Sequence, residues 1–383
     1  MKDRGYLFAD EHDLFRSAVR SFVEREMVPR ADEWEARGAV DRELYQKMGA
    51  LGFLGIRYPA EYGGAEQDIS MTVVFAEELA RCRAHGVTSG VLVHTDMASP
   101  HLARAGTHVQ KQQYLRPLIS GERICAIAVT EPGAGSDVAS LRTQARRAGD
   151  AFVLDGAKTF ITNALSADTF VVAAKSDPAA GHRGISLFIV EKGTPGFTVA
   201  RKLNKLGQHS GDTGELVFAS CAVPAANLLG ELHRGFYAIM QNFQDERLVI
   251  AIACYSGAQQ VLEDTLRYVR EREMFGAKLG DLQVTKHRLA QMATEIEAGR
   301  QLTYHAAWLY AQRIECLSEV SMSKAFCAEM ANRVAYQALQ LHGGYGYIQG
   351  YFVERFYRDV RVYSIAGGAT EVMYEIIGKG LSS

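Results

Sequence analysis

From Leu248 to Cys254 the chain reads Leu-Val-Ile-Ala-Ile-Ala-Cys, with no polar residue at any helical spacing. A helix apolar on every face has to be enclosed by other elements, so the fold must be built around this segment. Glu246 stands just before it, between Asp245 and Arg247. A carboxylate held against such a segment loses solvation, which raises its pKa and makes it a usable proton acceptor near neutral pH. The plainer reading is an exposed acid in the first turn of a helix, favoured like Asp245 by the helix dipole.

A chain of 383 residues that is 48% hydrophobic can bury a large core divided between two or three domains. Its net charge of −2 offers no electrostatic footprint for nucleic acid or an anionic membrane surface. No run approaches the ~18 apolar residues of a membrane span. The segment Met1 to Asp13 is charged and lacks an apolar core, so neither a secretory signal nor a presequence is expected. Six scattered cysteines without a C-x-x-C pair read as reduced core residues of a cytoplasmic protein.

The hydrophobic period changes twice. Over residues 1–122 it is helical, as in Leu14, Phe15, Ala18, Val19, Phe22, Val23 and Met27, with a break near Pro29. Asp41 and Ser70 are expected N-caps, and Thr107 with Gln110 has the form of a capping box. Over 123–234 short β-type runs take over, at 124–129, 151–154, 160–161, 170–174, 185–190, 197–200 and 215–219. Asp155-Gly156 between two of these runs signals a hairpin turn. Over 235–383 the helical period returns in three long stretches, roughly 236–273, 283–314 and 318–341, which suits a helical bundle. The expected fold is therefore mixed α and β: a helical domain, a central β domain and a C-terminal bundle.

No G-x-G-x-x-G opening a helix, P-loop, G-x-S-x-G elbow or H-E-x-x-H is present, which removes the main support for nicotinamide or nucleotide-hydrolysis chemistry. His94, His101 and His108 recur every seven residues, but Pro100 and Gly106 interrupt the helix that would align them, and no metal site is expected. Three glycine-rich segments stand out. In residues 128–137, Gly133 and Gly135 let the main chain approach a ligand while Thr130 and Ser136 add hydroxyls, suiting a polar ring edge or a phosphate; a bare tight loop is the alternative. Residues 340–344 end a helix, where a glycine C-cap would suffice. Residues 366–371 precede the last helix, where Thr370 would serve as an N-cap.

Together these segments resemble the acyl-CoA dehydrogenase family. The resemblance runs from about Leu7 to the end of the chain and rests on AVTEPGAGSD (128–137), KTFITNA (158–164), RGFYAIM (234–240), DERLVIA (245–251), REREMFG (270–276), LQLHGGYGY (339–347) and AGGATEVMYEIIGK (366–379). It implies an FAD-dependent enzyme with a central β-barrel, a C-terminal four-helix bundle, and assembly as a homotetramer built from two dimers. It further implies that Ile127, Val129, Thr130, Gly135, Ser136, Phe160, Ile161 and Thr162 line the isoalloxazine, with Thr130 and Thr162 bonded to its polar edge. Arg272, Phe275, Gln283, Gln340, Leu341, Gly343 and Gly344 would hold the adenosine diphosphate across a dimer interface. Gly368, Thr370 and Glu371 would touch the cofactor of their own subunit, and Ser136 and Arg247 would meet the acyl-CoA.

One departure is informative. Most of the family carries its catalytic glutamate where this chain has Gly367. The long-chain and isovaleryl branches carry it on the bundle helix, in the context that Glu246 occupies here. The resemblance therefore selects the same carboxylate as the local argument and implies α,β-dehydrogenation of an acyl-CoA, with the backbone of Gly367 as a hydrogen-bond donor and an electron-transfer flavoprotein as oxidant. Acyl-CoA oxidation by oxygen, dehydrogenation of carrier-protein thioesters, and a degenerate flavin-binding assembly partner are the alternatives. No nucleic acid or membrane partner is expected.

Overall fold

The computed structural model describes residues 6–382, so the first five residues of the N-terminal segment lie outside the described residues. Helices α1 (Asp10–Phe22), α2 (Ala31–Arg37), α3 (Arg42–Ala50), α4 (Ile69–Leu79), α5 (His85–Leu92) and α6 (Ser99–Ala105), with the short turns α7 (His108–Gln110) and α8 (Arg116–Ile119), precede the first strand. Near Pro29 the helix tightens into a 3₁₀ turn, Val28–Arg30, because proline cannot donate to the preceding turn. Every residue of α4 is buried, Glu77 and Glu78 included. Arg16 pairs with both acids, and Arg20 with Glu78, which offsets the desolvation of these two carboxylates.

One of the expected caps moves, and another stands in place without a side-chain capping bond. Asp68 caps α4 by accepting from the Ser70 amide at 2.8 Å, so Ser70 lies inside the helix. Asp41 stands at the cap position of α3 but accepts from Trp34 Nε1 at 2.9 Å and pairs with Arg37 instead. Thr107 and Gln110 form the capping box.

The central part is one eight-stranded sheet: β1 (Cys125–Ala128), β2 (Gln144–Ala148), β3 (Ala151–Thr162), β4 (Thr169–Lys175), β5 (Ile185–Glu191), β6 (Phe197–Lys202), β7 (Thr213–Pro224) and β8 (Leu228–Leu229). Pairing runs β6-β7-β3-β2-β4-β5-β8, with β1 parallel to β4. The hairpin expected at Asp155-Gly156 is not a turn. Those residues sit inside β3 at a break in its register with β7, and the two-residue turn is Gly149-Asp150, between Ala148 and Ala151. Gly156 serves close approach and not a turn: a Cβ there would lie 2.7 Å from Thr143 Cα.

The C-terminal part holds α9 (Gly235–Glu271), α10 (Gln283–Ala311), α11 (Leu317–His342), α12 (Phe352–Val360) and α13 (Thr370–Ser382). Helix α9 packs against α11, α10, α4 and α12, and residues 247–258 are buried throughout. That enclosure is why its sequence is apolar on every face. All six cysteines are unpaired and buried, and no helix among the described residues is long and apolar enough to cross a membrane.

Candidate functional site

Glu246 lies in the fourth turn of α9, not in its first, so the helix dipole does not explain it. Asp245 points the other way and is fully buried. It pairs with Arg57 at 2.9 Å and with Arg104. Burial opposes its charge, but the two guanidinium groups more than offset that and hold its carboxyl below the usual range. Glu246 has no such partner among the described residues. Desolvation pushes its pKa up to about 7, against the weaker opposing pull of Arg247 and Lys324.

The carboxylate faces the glycine-rich segment before α13. A Cβ built on Gly367 would lie 3.3 Å from Glu246 Oε1 and would collide with Ile250 Cδ1, while Gly367 itself has φ +63°. Arg247 is buried, its guanidinium 5.4 Å above the Phe243 ring, and its Nε has no hydrogen-bond partner among the described residues. A Cβ on Gly368 would lie 3.8 Å from that Nε. Glu246, Arg247, Gly367 and Gly368 are thus one cluster, with an unsatisfied buried donor facing it. Glu371 is exposed on the first turn of α13. Thr370 does not cap that helix: its hydroxyl donates to Glu329 Oε1 at 2.8 Å.

Residues 127–136 leave the end of β1 and run beside β3. Ile127 and Val129 pack into the same apolar cluster as Phe243, which ties this loop to the Glu246 turn. Gly135 and Ser136 are exposed, and a Cβ at Gly133 or Gly135 would meet nothing within 4 Å. The hydroxyls of Thr130, Ser136 and Thr162 have no protein partner among the described residues, and Ile161, between Phe160 and Thr162 in β3, is buried. Phe160 is 69% exposed at φ +59°, a conformation unusual for an aromatic residue and frequent at ligand sites.

A second region gathers the diphosphate set. Arg272, Gln340, Leu341, Gly343 and Gly344 line one cavity of about 740 Å³ together with Tyr268, Arg288, His342 and Tyr345. Phe275 and Gln283 flank it without lining it. Its size falls within the range of cofactor pockets. Its chemistry suits an aromatic base and a diphosphate: two arginines, a Tyr268–His342 stack at 4.3 Å, and Arg272 over the Tyr345 ring.

The histidines do not converge. His94 accepts from the Cys125 amide at 3.1 Å and donates to the Leu118 carbonyl, whereas His108 bonds Tyr62 at 3.0 Å. Among the described residues no group of three His, Cys, Asp or Glu side chains could hold a metal ion.

Sequence reasoning missed two buried lysines. Lys158, with no exposed surface, donates to Glu131 Oε1 at 2.7 Å and to the Val129 carbonyl at 2.9 Å, holding the loop to β3. Lys324, equally buried, donates to the Gly368 carbonyl. The available signal was positional: Val320, Lys324, Cys327 and Ala331 share the inward spacing of α11, so a lysine there breaks the apolar stripe.

Three family models cover nearly the whole chain: the acyl-CoA dehydrogenase N-terminal domain over residues 9–122, the middle domain over 126–221 and the C-terminal domain over 233–382. The long-chain specific acyl-CoA dehydrogenase of Rattus norvegicus mitochondria is 40% identical over 379 residues, covering 98% of this chain and 88% of that protein. Subunit CarC of the caffeyl-CoA reductase-Etf complex of Acetobacterium woodii is 38% identical, covering 97% of this chain and 98% of that one. The crystal structure of an acyl-CoA dehydrogenase from Geobacillus kaustophilus superposes with a TM-score of 0.96 at 45% identity, over 98% of this chain and 99% of that one. The protein is therefore an FAD-dependent oxidoreductase. It belongs to the acyl-CoA dehydrogenase family.

Proposed function

We propose that the enzyme converts a saturated acyl-CoA thioester to its trans-2-enoyl product, with Glu246 as the base. The observation that carries this reading is a single desolvated carboxylate, with a pKa near 7, facing the glycine pair 367–368. A base poised near the working pH combines the right protonation state with driving force for proton transfer. FAD, when bound, supplies the acceptor for the hydride leaving the β-carbon.

The chain's own residues do the rest. Glu246 takes the proton α to the carbonyl. The charge developing on the thioester oxygen needs aimed donors, and the Gly367 N–H is the protein's candidate. Arg247, with its unpaired Nε, and Ser136 would meet the acyl-CoA. The loop 127–136 with residues 160–162 would hold the isoalloxazine. Arg272, Phe275, Gln283 and 340–344 would hold the diphosphate half across a dimer interface, with Gly368, Thr370 and Glu371 contacting the cofactor of their own subunit. A homotetramer in the cytoplasm, reoxidised by an electron-transfer flavoprotein and working in fatty acid β-oxidation, completes the proposal; the likeness to an Etf-complex subunit supports the choice of oxidant.

The test is an anaerobic series of butyryl-, isovaleryl-, octanoyl- and palmitoyl-CoA, reading bleaching of the bound flavin. Bleaching with at least one supports the assignment and fixes the acyl class. Bleaching only by carrier-protein thioesters, or rapid oxygen consumption, would move the enzyme to one of the sister activities. No bleaching at all would leave a flavin-binding assembly partner.

A further inference from the structure

Lys324 stands outside the motifs that carry the reading above, and it is the least expected residue near Glu246. Lysines are almost never fully buried unless paired. This one has no exposed surface, makes no ion pair among the described residues, and spends its hydrogen bond on the neutral carbonyl of Gly368. We propose that Lys324 is a positioning residue of the site, holding the Gly367–Gly368 turn against Glu246 through the Gly368 carbonyl and placing its positive charge beside the base. The inference rests on Glu246 being that base.

The geometry carries the anchoring, and the same turn that Lys324 holds through Gly368 meets Glu246 at Gly367, which brings the charge near the base. Gly367 and Gly368 have φ of +63° and +91° and no side chains with which to anchor themselves. Helix α11 supplies the anchors: Lys324 takes the Gly368 carbonyl, and five residues on Glu329 takes the Thr370 hydroxyl. The segment between those points is the one that meets Glu246 and Arg247. A misplacement of about 1 Å in such a segment can cost ~100-fold in rate. The charged and titratable groups facing Lys324 are Glu246, Arg247 and Cys254 from α9 and Glu329 from its own helix. Burial lowers its pKa to about 8, so at neutral pH it is largely cationic. A cation there favours the ionised form of Glu246, as Arg247 does from within α9.

The experiment is stopped-flow flavin reduction between pH 5.5 and 9, on the FAD-loaded oligomer, with whichever of the four acyl-CoA probes reduces the parent fastest. Lys324→Met keeps the length and removes both the donor and the charge. The expected result is FAD content and half-saturating acyl-CoA within about 3-fold of the parent, reduction slower by ~100-fold, and an acid limb displaced to higher pH. A lysine that only fills space would not move that limb. A variant with the parent's rate and pH profile overturns the proposal. If Lys324→Met does not retain FAD, Lys324→Arg decides: it keeps the charge but cannot place one amine on the same carbonyl. A slower rate with an unmoved acid limb then supports the proposal, and a parental rate overturns it. Glu246→Gln is run alongside. Were it to reduce as fast as the parent, the base assignment would be what failed, whatever Lys324 did.

Discussion

Glu246 and Asp245 are neighbours in sequence and opposites in chemistry. Asp245 carries two guanidinium partners and is held ionised, whereas Glu246 has only the weaker fields of Arg247 and Lys324. Because the ionised form of Glu246 is the active one, flavin reduction should rise with pH through about 7 and then level. For stability the sign is reversed: a raised carboxyl pKa favours the folded state fully below the unfolded value, and that contribution is lost as pH rises through about 7. Glu246→Gln should keep FAD and acyl-CoA binding while slowing reduction by several orders of magnitude, and Glu371→Gln, on an exposed turn, should be far milder. Similar losses in the two, measured by stopped flow, would refute the assignment. Moving the base is a stricter test. Glu246→Gly with Gly367→Glu should be more active than Glu246→Gly alone, recovering part of the parent's activity, since a Cβ at position 367 lies beside the place of the Glu246 carboxylate. The structure adds a condition: a side chain at 367 meets Ile250 Cδ1 and a positive φ, so adding Ile250→Val, which deletes that atom, should raise the recovered rate further.

At the scale of elements, α9 is held in register by polar contacts of Asn242 and Asp245 in its third and fourth turns and by the apolar enclosure that follows. Asp245 binds Arg57 from the α3–α4 connection and Arg104 from α6, and Asn242 donates to the Met97 carbonyl at 3.0 Å. Asp245→Ala would leave two guanidinium groups facing a vacated acceptor, so the urea transition should shift by the equivalent of about 3–5 kcal/mol. A shift below about 1 kcal/mol would show that water replaces the carboxylate at little cost. Most elements were legible because periodicity reports burial directly: the stretches read as 236–273, 283–314 and 318–341 are α9, α10 and α11 to within about three residues. Asp155-Gly156 reads as a hairpin in sequence because a glycine required by the close approach of Thr143 looks the same there as one required by a turn.

At the scale of the whole molecule, one exposed aromatic side chain bears on assembly. Phe275, 94% exposed beside the cavity of Arg272 and Gln340, is an aromatic side chain with nothing to cover it in a single subunit. If a second copy supplies that cover and shares the cofactor, the native protein should hold about one FAD per subunit and release it on dissociation to monomers, measured by flavin absorbance across a dilution series in size-exclusion chromatography. Arg272→Ala should lower FAD content several-fold while leaving the apoprotein's melting transition in place, because Arg272 is exposed and makes no ion pair among the described residues. A monomer that keeps all its flavin would refute the shared site.

By itself the sequence determined the order of helical, sheet and helical parts, the enclosed segment of α9, and the glycine-rich loops, because periodicity and glycine placement are local consequences of burial and backbone geometry. It also raised Glu246 as a candidate base, but the local pattern left an exposed first-turn acid open as well, and the family resemblance made the choice. Only the tertiary structure decided that Asp245 is neutralised by arginines some 140 and 190 residues away in sequence. It alone set Gly367 against Glu246 and brought Lys324 to the Gly368 carbonyl. These depend on contacts between segments far apart in the chain, and no spacing along the chain encodes which buried charge will meet which partner.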